Sequence, residues 1–375
     1  MLPGGTIGII GGGQLGRMMA TAAKHLGYRI VVLDPTPDCP TAQVADRQIE
    51  AHYHDMDAIK QLAEESDVIT YEFENVDLTT AQYLEVKGLL PQGSELLRVT
   101  QDRENEKKLL TDNQLPVAPF AIVHKEQEVR IALQHIELPA VVKTCRGGYD
   151  GKGQLKIENE ADLEDAIEFV NKNERCIVEQ WVPFDKEISV VFTRSQDGNI
   201  TYFPVAENEH KDHVLHRTIA PAQVSETVRK KAITSAKAVA ESMEVVGTFA
   251  IEMFVKGDDV YINEMAPRPH NSGHFTIEAC NVSQFEQHIR AICHLPLLPV
   301  HFHGAAIMVN LLGEDVENYL NQIDSISSAH IHVYGKEQVK PKRKMGHITF
   351  VDTQIDKLQQ TVKQQYNQQK SKQEI

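Results

Sequence analysis

Glu252 and Glu264 lie in GTFAIEMFV and DVYINEMA, segments that read as two strands joined by the turn Lys256-Gly257-Asp258-Asp259. Folding that hairpin places both carboxylates on one face, where they repel unless a cation lies between them. Magnesium suits such a place, because it prefers oxygen ligands and binds through one or two carboxylates plus substrate phosphates. Asn263 adds a neutral oxygen, while Ile251, Met253, Ile262 and Met265 are expected to face the other way. A solvated sheet surface is the alternative. Immediately downstream, Arg268, His270, Asn271, Ser272 and His274 crowd one loop with donors suited to an oxyanion: a bidentate fork, neutral donors, and imidazoles that titrate near neutrality.

A second constellation lies upstream. Gly147, Gly148, Gly151 and Gly153 surround Tyr149, Asp150 and Lys152, a glycine density that allows backbone to approach phosphate closely. The spacing is not G-x-x-x-x-G-K-[ST] and the loop joins two strands, LPAVVKT and QLKIE, which excludes a Walker loop. Lys143, on the first strand, can reach phosphate as a point charge. An ordinary hairpin tip is the competing reading. Gly11, Gly13 and Gly16 form a third pattern, G-x-G-x-x-G, between the strand IGIIGGG and a helix over Gln14 to His25; the strand YRIVVLD then ends at Asp34. The turn either binds a dinucleotide, with Asp34 on the ribose, or only packs a doubly wound sheet.

The elements around these residues change in texture along the chain. Helical and strand patterns alternate to about residue 97, and SDVITYEFE reads as a strand ended by Glu72 and Glu74, acids at the carboxyl end where sheet ligands bind. One helix is expected from about Thr100 through Leu110, stopping before Leu115-Pro116. Another is expected over Ala161 to Asn171, followed by the strand RCIVEQWV and a hairpin between Lys186 and Pro204. A helix with Val228, Ala232, Ala236, Val239 and Met243 on one face precedes the glutamate hairpin, and a Ser283-x-x-Glu286 capping box opens a helix after it. Short strands at AAIMVNLL, AHIHVYG and MGHITFV follow, and Gln354 to Ile375 reads as a solvated terminal helix that frays or is disordered.

Composition sets the outer limits. The 375 residues suffice for two or three domains at ~150 residues each. Lys plus Arg number 38 against 53 Asp plus Glu, a net charge of -15 that disfavours nucleic acid while leaving room for local basic pockets. The five cysteines form no C-x-x-C, which points away from zinc and disulfides and toward a reducing compartment. With no basic leader and no apolar run of ~18 residues, the expectation is a cytoplasmic protein with no membrane contact.

The loop GGYDGKGQ, Lys143, the pair Glu252 and Glu264, and NEMAPRPHNSGH together resemble the ATP-grasp superfamily. With the opening GGGQLGRM and the C-terminal YGK followed by RKMGH, the chain is similar to the 5-(carboxyamino)imidazole ribonucleotide synthase family from about residue 6 to 352. The fold expected is α/β and α+β. It comprises a doubly wound pre-ATP-grasp domain at 1–97, an ATP-grasp domain at 98–298, a small β-rich domain at 299–353 and a polar tail at 354–375.

The resemblance implies ATP between two subdomains, with Arg103, Lys143, Gly148, Tyr149, Asp150, Gly151, Lys152, Gly153 and Gln154 toward the phosphates. Glu179, Gln180, Trp181 and Val182 would lie beside adenine, Glu187 on the ribose, and His210 would also touch ATP. Glu252 and Glu264 would hold magnesium, or manganese in its place, accompanied by Asn263. Arg268, His270 and Asn271 would bind bicarbonate or phosphate. Tyr149, Asp150, Lys336, Arg343 and Lys344 would bind the ribonucleotide, helped by Gln14, Leu15, Glu72 and Glu74. The implied reaction joins bicarbonate to 5-aminoimidazole ribonucleotide with ATP, by way of carboxyphosphate, as a step of purine biosynthesis; Asp150 would orient bicarbonate or take the amine proton. A homodimer is implied too. Three readings compete: a formate-using glycinamide ribonucleotide transformylase, an NAD-dependent oxidoreductase built on Gly11 to Gly16, and a non-catalytic nucleotide-sensing protein.

Overall fold

In the computed structural model, residues 1–148, 152–321 and 328–371 are described. Three sheets carry the chain in sequence order. β1 (Thr6–Ile10), β2 (Arg29–Leu33), β3 (Arg47–Ile49) and β4 (Val68–Tyr71) form a parallel sheet in the order β3-β2-β1-β4, crossed by helices α1 (Gln14–His25), α2 (Met56–Glu65) and α3 (Leu78–Val86). The strands are short apolar runs because helices cover the sheet; Ile7, Ile9, Ile30 and Ile69 are fully buried. β4 ends at Tyr71, so Glu72 and Glu74 follow the strand instead of ending it.

The helix expected from about Thr100 is α5 (Arg103–Asp112), and a separate helix, α4 (Glu95–Thr100), precedes it. Asp102 breaks them, since its side chain accepts from the Glu104 N–H and so starts a new helix. β5 (Phe120–Val123), α6 (Glu126–His135), β6 (Ala140–Thr144), β7 (Gln154–Ile157), α7 (Leu163–Asn173) and β8 (Cys176–Gln180) build the second sheet, in the antiparallel order β5-β8-β6-β7. The glycine-rich loop joins β6 to β7, as expected.

Among the described residues the third sheet has nine strands: β9 (Lys186–Arg194), β10 (Ile200–Tyr202), β11 (Ala206–Lys211), β12 (Val214–Ala220), β13 (Gly247–Lys256), β14 (Asp259–Ala266), β15 (Ala305–Leu312), β16 (Ala329–Val333) and β17 (Lys344–Asp352). The C-terminal strands extend this sheet through the antiparallel pairing of β12 with β15. The intervening helices are α8 (Glu226–Ser242), α9 (Thr276–Ala279), α10 (Gln284–Ile292) and α11 (Gly313–Asn321). Val228, Ala232, Ala236, Val239 and Met243 of α8 and its C-cap pack with Ile188, Phe249 and Ile251 in one core. Ser283 caps α10 by accepting from the Glu286 N–H, but the Glu286 carboxylate turns to Arg290 at 2.9 Å, so only half of the expected capping box forms.

The polar tail is corrected as well. It forms α12 (Ile355–Ser371), and Leu358 and Val362 are buried against Ile307 and Val309 of β15. Burying two such side chains contributes roughly 1.5–3 kcal/mol each, which anchors the first turns of a helix whose composition alone suggested a solvated one.

Candidate active site

Glu252 and Glu264 are direct cross-strand partners. A uniform hairpin would not achieve this. Lys256 pairs with Asp259, and the one-to-one register runs to Met253 opposite Ile262; it then slips, so that Glu252 faces Glu264 and Ile251 faces Met265. Asn263 is the extra residue of a β-bulge, and the slip puts Ile262 and Glu264 on opposite faces although two residues apart. Ile251, Met253, Ile262 and Met265 are all buried in the core, but only Ile251 and Met253 keep clear of the cavity; Ile262 and Met265 also border it. Burial first, and the Glu264 charge second, push the Glu252 carboxyl up to about 7. The Arg103 guanidinium stands off, with Nη2 3.6 Å from Glu264, and the His270 imidazole Nε2 is 3.6 Å from Glu252. This uncompensated pair fits a hard divalent cation that takes its remaining oxygens from a substrate; among the described residues no cluster of three or more metal-ligating side chains occurs.

Behind the pair lies a buried charge ladder. Glu179 sits between two lysines, 2.7 Å from Lys143 Nζ and 3.3 Å from Lys107 Nζ, the second contact lacking hydrogen-bond alignment. Burial pushes Glu179 up, but Lys107, Lys143 and Arg103 outweigh it and hold the carboxyl well below its usual range. Glu179 is thus engaged with Lys143 and Lys107, while Gln180, Trp181 and Val182 continue along the wall. The sequence reading missed Lys107 and Glu106. Their signal is positional: Arg103, Glu106, Lys107 and Leu110 occupy the i, i+3, i+4, i+7 stripe of α5, where a helix normally carries apolar residues. Glu106 accepts from the Met265 N–H at 2.6 Å and is pushed by burial up to about 7.

The described ends of the glycine loop border the same cavity as this ladder. Its strands pair Lys143 with Gln154, and Gly148, Lys152 and Gln154 line the same cavity. Tyr149, Asp150 and Gly151 lie outside the described residues. The Cys145 thiol is buried and pushed by that burial up to about 12, which keeps it protonated and unreactive.

The loop after β14 is held from outside. Glu74 accepts from Arg268 Nε at 2.6 Å; burial pushes this carboxyl up, and Arg268 outweighs it. The Gln284 side chain accepts from the His270 N–H at 2.9 Å and donates to the His270 carbonyl at 2.7 Å. Burial, then Arg268, drive the His270 imidazole well below its ordinary pKa, so it is neutral. Ser272 and His274 do not join the site: Ser272 accepts from Ser189 Oγ at 2.8 Å, and His274 is buried against the His347 ring. Glu187 and His210 meet at 2.6 Å on the opposite wall.

At the N-terminal sheet the glycine turn is already filled. The Glu72 carboxylate accepts from the Gly13 N–H at 2.5 Å and the Gly16 N–H at 2.8 Å, the donors a dinucleotide phosphate would need. Gly11 has φ +107, and a Cβ there would collide with Glu72. Asp34 accepts from the Gly12 N–H at 2.7 Å and from Tyr53 Oη at 2.6 Å, so it is spent as well. This corrects the dinucleotide reading. Gln14 and Leu15, together with Glu72 and Glu74, border the main cavity. Lys344 also lines it, but Lys336 and Arg343 do not: Lys336 Nζ donates to the Lys344 carbonyl at 2.7 Å, and Arg343 donates to the Gln338 carbonyl at 2.8 Å. Burial, with Arg343 next, pushes the Lys336 ammonium down to about 8.

These surfaces enclose 860 Å³ running from the Trp181 wall past the glutamate pair to Gln14. Among family models, residues 5–101 match the ribonucleotide synthetase preATP-grasp domain, residues 108–285 the ATP-grasp domain, and residues 306–361 the phosphoribosylaminoimidazole carboxylase C-terminal domain. The chain is 50% identical to the N5-carboxyaminoimidazole ribonucleotide synthase of Bacillus subtilis (strain 168), over 93% of this chain and 92% of that one. It is 42% identical to the enzyme of that name from Staphylococcus aureus (strain COL), over 95% of each. An ADP complex of an N5-carboxyaminoimidazole ribonucleotide synthetase superposes with a TM-score of 0.95 at 50% identity, covering 99% of both chains. The Aspergillus clavatus enzyme in complex with ADP and 5-aminoimidazole ribonucleotide superposes at 0.91 and 28% identity, covering 99% of this chain and 100% of that one.

Proposed function

From the premise that this chain belongs to the N5-carboxyaminoimidazole ribonucleotide synthase family of ATP-grasp ligases, we propose how its cavity carries out the family's reaction. The protein is an ATP-dependent carbon–nitrogen ligase that carboxylates 5-aminoimidazole ribonucleotide in purine biosynthesis. In the proposed chemistry a bicarbonate oxygen attacks the γ-phosphorus of ATP and ADP leaves. The substrate amine then attacks the resulting carboxyl carbon, phosphate departs, and the amine gives up a proton. The single observation that carries this reading is the glutamate pair facing the Lys143–Glu179–Lys107 ladder within one cavity.

Each group has a definable task. Lys143, oriented by Glu179, and Arg103 oppose charge on the transferred phosphoryl group, in a site where catalysis is mainly positioning and charge stabilisation. Gln180, Trp181 and Val182 border the adenine, and the Glu187–His210 pair offers an acceptor to the ribose hydroxyls. Magnesium held by Glu252 and Glu264, with Asn263 alongside, would neutralise charge between the outer phosphates. Arg268, fixed by Glu74, and Asn271 receive bicarbonate, and the neutral His270 imidazole completes that wall without adding charge. Lys344 in the cavity, with Lys336 and Arg343 next to it outside the lining, would supply positive charge for the ribonucleotide phosphate beside the Glu72-filled turn. The assignment of Asp150, Tyr149 and Gly151 to the phosphates rests on the likeness to ATP-grasp enzymes alone.

The test is ADP release with each substrate omitted in turn: dependence on both bicarbonate and aminoimidazole ribonucleotide supports the assignment, and formate replacing bicarbonate overturns it. Five free, buried cysteines support a cytoplasmic location, and no described helix is long and apolar enough to cross a membrane. A homodimer, also proposed, would scatter light as twice the 42.1 kDa of one chain.

A further inference from the structure

Asn310 interrupts the apolar run AAIMVNLL of β15, a strand buried along its whole length, and is itself 1% exposed. An amide in such a place destabilises the fold by roughly 1–3 kcal/mol unless its hydrogen bonds are met. They are met in a way that reaches the active site. Asn310 Nδ2 donates to the Leu215 carbonyl at 2.8 Å and to Asn271 Oδ1 at 2.7 Å, while Asn310 Oδ1 accepts from Asn271 Nδ2 at 3.0 Å.

We propose that Asn310 is a positioning residue for the acid substrate, setting which edge of the Asn271 amide meets the cavity. The polarity is dictated in sequence. A backbone carbonyl only accepts, so the nitrogen of Asn310 must face Leu215. The oxygen of Asn310 must then face Asn271, and only the Asn271 nitrogen can supply the donor. The reciprocal pair uses one N–H of Asn271 and leaves the other, with no further side-chain partner among the described residues, as a donor. Asn271 lines the cavity beside Arg268 and His270. An anionic oxygen there is stabilised by an N–H and repelled by a carbonyl, so an Asn271 free to rotate presents the wrong edge part of the time. This inference rests on the assignment of Asn271 to bicarbonate.

The experiment is a double-mutant cycle on the full chain, with the KM values for bicarbonate and ATP read by ADP release. Asn310→Leu, close in volume, should raise the bicarbonate KM about tenfold, the equivalent of one buried hydrogen bond, and leave the ATP KM within about twofold. Asn310→Thr should move it the same way and serves if the leucine variant does not fold. Asn271→Ala should also raise the bicarbonate KM, and combining it with either Asn310 variant should add nothing, because residue 310 acts through residue 271. An unchanged bicarbonate KM in both Asn310 variants, or equal rises for ATP and bicarbonate, overturns the proposal while Asn271→Ala still upholds the bicarbonate assignment. An unchanged KM in Asn271→Ala overturns that assignment, and the proposal with it.

Discussion

Glu74 grips Arg268 through Nε at 2.6 Å, tying the end of the parallel sheet to the loop that follows the glutamate hairpin. The contact spends one edge of the guanidinium and fixes the orientation of the remainder. Glu74→Gln, which keeps the shape and loses the charge, is expected to lower kcat/KM for bicarbonate roughly tenfold by loosening that orientation. Steady-state rates at varied bicarbonate measure it, and a value within twofold of wild type would count against the contact's role.

Removing one acid of the facing pair should separate function from fold. Glu264→Ala is expected to cut turnover by at least about 100-fold, on the scale of losing a main electrostatic stabiliser. The melting temperature should hold or rise, because Glu252 is relieved of a like charge. Differential scanning fluorimetry beside the ADP-release assay reads both, and wild-type turnover would refute the assignment.

Lys336 gives a pH signature. Its ammonium is pushed down to about 8 in the folded chain, below the ordinary 10.5, so it loses its proton as pH rises through about 8. The ribonucleotide KM should climb above that pH, and Lys336→Arg, charged throughout, should flatten the climb. For stability the sign is opposite: between about 8 and 10.5 the unfolded chain binds the extra proton, so this group's contribution to stability rises with pH across that window. A KM profile identical in wild type and Lys336→Arg would remove Lys336 from the phosphate site.

Glu72 has a structural task that can be weighed. Glu72→Gln offers one acceptor oxygen where Gly13 and Gly16 now use two, and turns an amide against an N–H. A loss of roughly 1–3 kcal/mol is expected in urea unfolding. A loss below about 0.5 kcal/mol would mean that water replaces the carboxylate freely.

Much of this was legible from residue order, and the exceptions share a cause. The glycine loop, the Lys256–Asp259 turn and the helix over Gln14 to His25 were readable because each depends on local chemistry: glycine density, turn residues, apolar spacing. Lys107, Gln284 and Asn310 were not, since a buried polar side chain is identified by its partners and those lie 72, 14 and 39 positions away, at Glu179, His270 and Asn271. The pairing of Glu252 with Glu264 was expected, but its means was not: strict alternation places Ile262 and Glu264 on one face, and only the slip at Asn263 separates them. The break at Asp102 and the anchoring of α12 likewise depend on contacts that propensity does not encode.

Glu252 stands four positions before Lys256, whereas Glu264 stands five after Asp259. That asymmetry makes the metal-ready face a matter of counting. Ironing out the slip with Asn263 still in place would leave both acids in the chain, yet the restored alternation would turn them to opposite sides of the ribbon and leave them unable to share an ion, whereas removing Asn263 together with the slip would keep them opposed. A duplicated hairpin that kept its glutamates and the extra spacer but lost the bulge would be inert, so in a distant relative the interval from turn to acid and the bulge together separate a working copy from a relic better than the acids themselves do.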